Sequence, residues 1–236
     1  MSSFSVPMII RGEVIEDNWI EFGARYDSGG FRAPDPHQYI DRLPLSSPMA
    51  LQDMQDLPFD DILDVLEELG KSLDFDSNPY IREAYQAGLV AAPYPAEMLK
   101  NSYLTLPSVF DRDAIREIAE RRIGLDYLNG WVSQSLLDGR TINVRAFGAR
   151  ALHIPAGNGG LVSAITLIRN AITRSDAIIK APSNDPLTAV ALVRTLIDIA
   201  PDHPVTKHLS VAYWKGGDEA LEKKLYRPEH IEKIVA

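Results

Sequence analysis

Apolar residues recur along this chain with two different rhythms, and the change from one to the other divides it. Residues 59–73 (FDDILDVLEELGKSL) set Ile62, Leu63, Leu66 and Leu69 three and four positions apart with acidic residues between them, the spacing that collects apolar side chains on one face of a helix. A second helical stretch is predicted from about Tyr80 to Leu89, and the pattern resumes at Met98 to Leu104 after Pro93 and Pro95, because proline lacks the amide hydrogen a helix interior needs. Asp111 to Leu137 reads as one further helix, with Ile115, Ile118, Ala119 and Ile123 on one stripe and Gly139 as its stop. Ahead of these helices, residues 1 to about 50 read as short strands and turns: Met8-Ile9-Ile10 before Gly12, a Val14–Phe22 stretch, a Ser28-Gly29-Gly30 turn, and prolines at 34, 36, 44 and 48.

From Val144 onward, short β-like runs alternate with longer helical ones. Ala151–Ile154, Ala177–Lys180 and Leu209–Trp214 are predicted strands; Leu161–Thr173, Pro186–Ile199 and Asp218–Tyr226 are predicted helices; Ile231–Ala236 begins another strand. Strands alternating with helices of this length mark βαβ units and a parallel sheet. Ala177–Ile179 and Val211–Tyr213 are continuously apolar, as strands covered on both faces are. The reading is an α/β protein: an α+β region over residues 1–140, then the first part of a Rossmann-like βαβ domain over 141–236, cut inside its sheet at Ile234-Val235-Ala236.

Composition narrows what such a fold does. A chain of 236 residues has room for one large or two modest domains. A formal charge of -9 argues against general attraction to nucleic-acid backbones, which requires clustered Lys and Arg. With no cysteine there is no disulfide, no thiolate metal site and no thiol nucleophile within these residues. The N-terminus lacks a basic stretch leading into an apolar run, and no apolar run is long enough to span a bilayer, so a cytoplasmic setting is expected.

Two segments carry candidate chemistry. Ile154-Pro155-Ala156-Gly157-Asn158-Gly159-Gly160 lies between a predicted strand and a predicted helix, at the strand end where open α/β sheets place ligands. Its glycines admit close backbone approach and the following amides favour anions, but the spacing is not GxGxxG, and a plain turn with Asn158 capping the helix is equally consistent. In Ile178-Ile179-Lys180-Ala181-Pro182-Ser183-Asn184-Asp185-Pro186 a strand delivers a lysine and a serine to a turn. That lysine is placed to meet a ribose hydroxyl or a phosphate, or is surface decoration; Asn184 or Asp185 can cap the next helix, with Pro186 in its first turn. Ser163 and Thr166 sit in a predicted helix with no evident base, His153 reads as a packed core histidine, and His203, His208 and His230 fall in polar turns without metal-ligand spacing, so no metal is expected. Asp60-Asp61 and Glu67-Glu68 read as a solvated helix face.

Taken together, the Pro-Ala-Gly-Asn-Gly-Gly turn and "NAITRSDAIIKAPSNDP" at 170–186 resemble the aldehyde dehydrogenase superfamily, and within it the fatty-acyl-CoA reductase family of the bacterial bioluminescence (Lux) system and its relatives. The resemblance is strongest over Arg145 to Ala236 and includes Lys215-Gly216-Gly217-Asp218. It implies an aldehyde-dehydrogenase-like fold with a nicotinamide-nucleotide-binding domain, and NADPH-dependent reduction of an acyl-CoA or acyl-protein thioester to an aldehyde through a cysteine-bound acyl group. Carried over by position, Asn158 would hold the thioester oxyanion, Lys180 and Ser183 would bind the adenosine ribose, Lys180 would meet a 2′-phosphate, and Gly216 and Gly217 would lie near the adenine. The cysteine and the acidic base would lie past residue 236. The resemblance also implies an acyl-protein synthetase and an acyl transferase as partners, and a homo-oligomer. An NAD-dependent aldehyde dehydrogenase and a non-catalytic nucleotide-binding scaffold are the alternatives.

Overall fold

The computed structural model describes residues 4–23, 30–157 and 159–236. Short strands open the chain: β1 (Phe4–Ser5), β2 (Met8–Ile10), β3 (Glu13–Ile15), β4 (Trp19–Gly23) and β5 (Gly30–Pro34). The Val14–Phe22 stretch is therefore not one strand, because Asn18, at φ 48°, turns the chain between β3 and β4. Of the expected Ser28-Gly29-Gly30 turn, Ser28 and Gly29 lie outside the described residues and Gly30 begins β5. A helical layer follows: α1 (Gln52–Asp56), α2 (Phe59–Ser72), α3 (Pro79–Ala91), α4 (Ala96–Leu104), α5 (Leu106–Val109), α6 (Arg112–Arg122) and α7 (Leu125–Asn129).

Local chemistry accounts for several of these boundaries. The Asn78 side chain accepts from the Ile81 amide at 3.0 Å and Pro79 fills the first turn of α3, the arrangement that satisfies orphan amides at a helix start. Asp111 does the same for α6 through Ala114 N at 2.8 Å. In α2 the predicted stripe is the buried one: Ile62, Leu63, Leu66 and Leu69 are all fully covered, each contributing about 2 kcal/mol of burial.

The helix expected over Asp111–Leu137 is corrected. It ends at Arg122; the amides of Ile123 and Gly124 both fold back onto Ala119 O, and Gly124 at φ 93° carries the chain out of the helix. After the short α7 the chain becomes an antiparallel hairpin of β6 (Val132–Ser135) and β7 (Thr141–Val144). Gly139 does not stop a helix: at φ 84° it closes the hairpin turn, where Leu136 N donates to Arg140 O. Ile118, assigned to the apolar stripe, is half exposed.

The remaining elements are β8 (Arg150–His153), α8 (Gly160–Ile172), β9 (Asp176–Lys180), α9 (Thr188–Ile199), α10 (Pro204–Lys207), β10 (Leu209–Ala212), α11 (Glu219–Leu225) and β11 (Lys233–Val235). Their strands form the central sheet in the order β11-β8-β9-β10-β2-β3. The four strands from β8 onward are mutually parallel, and β2 joins antiparallel to β10 with Ile9 opposite Val211. The sheet thus draws strands from both the 1–140 and the 141–236 segments.

Side chains alternate across this sheet into two cores. Ala177, Ile179, Leu209, Val211 and Tyr213 face the layer built on α2, α3, α8 and α9. Leu152, Ile178, Ala212 and Trp214 face the other way, toward Leu221 and Leu225 of α11. Burial on both faces explains the continuous apolar runs of the sequence. At the amino ends of β9 and β10 a polar pin ties the layers. His208 Nδ1 meets Asp176 at 3.0 Å and its Nε2 meets Asp53 at 2.9 Å, while Arg11 binds both oxygens of Asp176 at 3.2 and 2.9 Å. His208, expected in a polar turn, is buried.

Candidate functional site

The carboxyl ends of β8, β9 and β10 open into a cleft of about 380 Å³, lined by Ile154–Gly157, Lys180–Asn184, Tyr213, Trp214 and Gly216, with Ala236 at its edge. The chain reverses its order of strand placement here: β9 and β10 extend the sheet on one side of β8, and β11 returns to the other. Open α/β sheets bind ligands at this switch point. The volume suits a nucleoside-sized portion of a ligand.

Lys180, Ser183 and Gly216 are brought together in this cleft. Gly217 adjoins it, at φ 85° in the turn that leads to α11. Asn158 lies outside the described residues; its neighbour Gly157 lines the cleft, and α8 begins two residues on, at Gly160, without a side-chain cap. The turn after β8 is fastened by Asn184, whose Nδ2 donates to Gly157 O. A Cβ on Gly157 would overlap the Asn184 side chain, so glycine there lets Asn184 approach the turn closely.

Asn184 therefore does not cap the next helix. Nor does Asp185: α9 begins at Thr188, past Pro186, and its start has no side-chain cap; Asp185 instead accepts from the Thr188 hydroxyl. Burial pushes the Asp185 carboxyl up to about 6, against the lowering effect of the Thr188 hydrogen bonds. Thr188 Oγ1 lies 2.7 Å from the Tyr103 hydroxyl, which burial and then the Asp185 charge raise. This network anchors the floor of the cleft to the helical layer.

The Lys180 side chain points to the α11 face of the sheet. Its Nζ stands 4.9 Å from the centre of the Trp214 ring and 3.4 Å from Glu222 Oε1. A Cβ on Gly216 would come within 3.8 Å of the same Nζ. Lys180 and Glu222 side chains are 12% and 22% exposed, so the pair is shielded yet reachable. Tyr226 donates to Glu222 Oε1 at 3.4 Å, and the Trp214 indole Nε1 has no acceptor among the described residues. Sequence reasoning missed Glu222, Trp214 and Tyr226. The available signal was the spacing Asp218–Glu222: Asp218 caps α11 through Leu221 N at 3.1 Å, and a residue one turn on faces back over the strand ends.

His153 closes β8; its Nε2 is buried without a partner and burial pushes the ring down, toward the neutral form. Among the described residues no group of three His, Asp or Glu side chains is arranged to hold a metal ion. No described helix is long and apolar enough to cross a membrane.

A mixed sheet with this parallel core and a cleft at the carboxyl strand ends is the architecture of the aldehyde dehydrogenases. Aldehyde dehydrogenase 21 from Physcomitrella patens superposes with a TM-score of 0.71 at 14% identity, covering 98% of this chain and 47% of that one. An NADP-dependent glyceraldehyde-3-phosphate dehydrogenase from Bacillus halodurans, solved with NADP, gives 0.68 at 13% identity over 96% and 47%. The structures share the fold; the sequence match shows the family. The family described as Acyl-CoA reductase (LuxC) matches residues 54–230, and the chain belongs to it. The long-chain acyl-protein thioester reductase of Vibrio harveyi is 26% identical over 237 residues, covering 98% of this chain and 47% of its relative. The chain spans about half the length of the relatives it matches. The family match also reaches well ahead of Arg145, into the helical layer where the motif resemblance is weak.

Proposed function

We propose that this chain is the nucleotide-binding portion of an acyl-thioester reductase, with residues 141–236 as the first part of the nicotinamide-nucleotide domain and 1–140 as its α+β support. The observation that carries the reading is the convergence of Lys180, Ser183 and Gly216 in one cleft at the switch point of a LuxC-family chain. The residues fit a dinucleotide. Lys180 offers an ammonium to the adenosine ribose or its phosphate, Ser183 offers a hydroxyl, and Gly216 leaves the space a Cβ would take. NADPH, when bound, supplies the hydride that reduces the thioester to an aldehyde.

Asn158 is the proposed donor to the thioester oxygen; a neutral amide aimed at developing charge stabilises a tetrahedral transition state, and losing one such donor costs about 10²–10³ in rate. The cysteine nucleophile of the proposed reaction is not among these residues, which include no cysteine. The substrate would be a long-chain acyl group on CoA or on a protein, handed over by an acyl-protein synthetase or an acyl transferase in the cytoplasm, and the enzyme would be a homo-oligomer. The aldehyde dehydrogenase fold favours one second reading, oxidation of a free aldehyde with NAD; activity in aldehyde oxidation with none in thioester reduction would select it.

The direct test is titration with NADPH, followed by nucleotide fluorescence. Wild type binds, and Lys180→Ala weakens binding at least about tenfold, equivalent to 1.4 kcal/mol. Unchanged affinity would remove the assignment.

A further inference from the structure

A second cavity, of about 500 Å³, lies near the amino end of β9, and its lining includes Gln55, Asp56, Asp60, Asn129, Arg145 and Arg174. We propose that this cavity binds a phosphate group, held by the guanidinium groups of Arg145 and Arg174. It is separate from the cleft at the carboxyl strand ends, and the inference stands independently of the nucleotide reading.

The argument begins with charge. Arg174 lies in the turn from α8 into β9 at φ 55°, a left-handed conformation uncommon for a residue with a Cβ. It is 1% exposed and donates to Met54 O at 2.9 Å, Gln55 O at 2.7 Å and Asn129 Oδ1 at 3.2 Å. Arg145 donates through Nη2 to the same Gln55 O at 2.9 Å. Every one of these acceptors is neutral, and the Nε of each arginine is buried with no partner among the described residues. Burying a cation without an opposite charge is costly, and burial, then the Arg145 charge, pushes the Arg174 guanidinium below its ordinary range. The carboxylates at hand do not balance the pair. Asp60 is engaged by Arg112 at 3.0 Å and Arg116 at 2.6 Å. Asp56, which accepts from Gln52 at 2.8 Å, is left as one negative charge against two positive ones.

Geometry then selects the kind of anion. Arg145 follows β7, Arg174 precedes β9, and α2 begins in the cavity at Phe59 without a side-chain cap, so the opening amides of a 14-residue helix favour negative charge there as well. A tetrahedral phosphate presents acceptor oxygens to donors arriving from separate elements, and guanidinium forks suit it. A planar carboxylate serves donors in one plane. The Gln55 side chain lines the same space with its oxygen buried and unpartnered; turned over, its amide offers N–H groups instead.

The test is calorimetric titration with inorganic phosphate at fixed pH and ionic strength, in wild type, Arg145→Gln, Arg174→Lys and Lys180→Ala, each verified as folded by thermal melting. Wild type binds with a Kd of about 1 mM or tighter. Arg145→Gln, which loses a charge, and Arg174→Lys, which loses the fork of donors, weaken binding about tenfold or more. Lys180→Ala stays within about threefold of wild type, because the nucleotide cleft is not involved. Absence of binding to folded wild type, or an unchanged Kd in Arg145→Gln, overturns the proposal; should Arg174→Lys fail to fold, Arg145→Gln decides alone. Binding lost in Lys180→Ala but kept in Arg145→Gln would put the phosphate in the nucleotide cleft and overturn it too. Acetate that displaces phosphate at equal concentration would make this a carboxylate site, and the phosphate assignment would fall.

Discussion

At the scale of single residues, two buried titratable groups both make the protein less stable as pH rises, over different ranges. Burial raises the Asp185 carboxyl to about 6 in the folded chain, above the ordinary value of about 3.9. The folded state therefore holds its proton more tightly than the unfolded state, and stability falls as pH rises between about 4 and 6. Asp185→Asn keeps an acceptor for Thr188 and removes the ionisation; it should abolish about 2–3 kcal/mol of that decline, read by urea unfolding at several pH values. His208 acts in the same direction at higher pH. Burial alone pushes it down, but hydrogen bonds and charge from Asp176 and Asp53 outweigh that and raise it. Its contribution is complete below about pH 6.5 and is lost as pH climbs through the raised folded value. His208→Ala should cost about 3 kcal/mol at pH 6, because it strips a buried carboxylate of one partner, and clearly less at pH 9. An equal loss at both values would show that the ring acts only by packing. The sequence reads Asp185 as a helix cap, but it serves instead as a buried acceptor for the Thr188 hydroxyl, two residues past the expected start of the helix. The role of His208 was not legible, since its partners come from positions 53 and 176 through the fold alone.

At the scale of elements, the strands and helices that repeat a simple period were readable, and the places where one glycine redirects the chain were not. The stripe of α2 and the runs of β9 and β10 follow their patterns. The 111–137 stretch keeps a helical composition past Arg122, but Gly124 and the Val132–Ser135 pairing override it. Cleft residues followed the same division. Lys180 and Ser183 were legible because a strand delivers them, whereas Glu222 reaches the cleft from a helix, with only its spacing from the Asp218 cap to signal it. Gly148 shows how strictly one position can bind two elements. A Cβ there would overlap the Arg174 carbonyl, just where Ala149 O accepts from Asp176 N at 3.0 Å to start the β8–β9 pairing. Gly148→Ala should lose about 3 kcal/mol in urea unfolding, at the upper end for overpacking. A stability within about 0.5 kcal/mol of wild type, the size of an ordinary surface substitution, would mean the two backbones are free to separate.

At the scale of the whole molecule, the parallel order β11-β8-β9-β10 follows from the βαβ rhythm, while the antiparallel addition of β2 and β3 does not. Nothing local to Met8–Ile10 names β10 as its partner. Their union makes the sheet one cooperative body: Ile9 is fully buried against the core that also holds Val211 and Tyr213. Ile9→Ala should cost about 3 kcal/mol, and tryptophan fluorescence and far-ultraviolet circular dichroism should report the same shifted transition. Two separate transitions would show that the N-terminal strands unfold independently.

That pairing also sets a schedule for the newborn polypeptide. Leu209–Ala212 is synthesised some 200 positions after its partner Met8–Ile10, a delay of about 10–40 s at about 5–20 residues per second. Through that interval the strand has only its β3 neighbour and its other edge is open, and it is then that the protein most needs shelter from other chains.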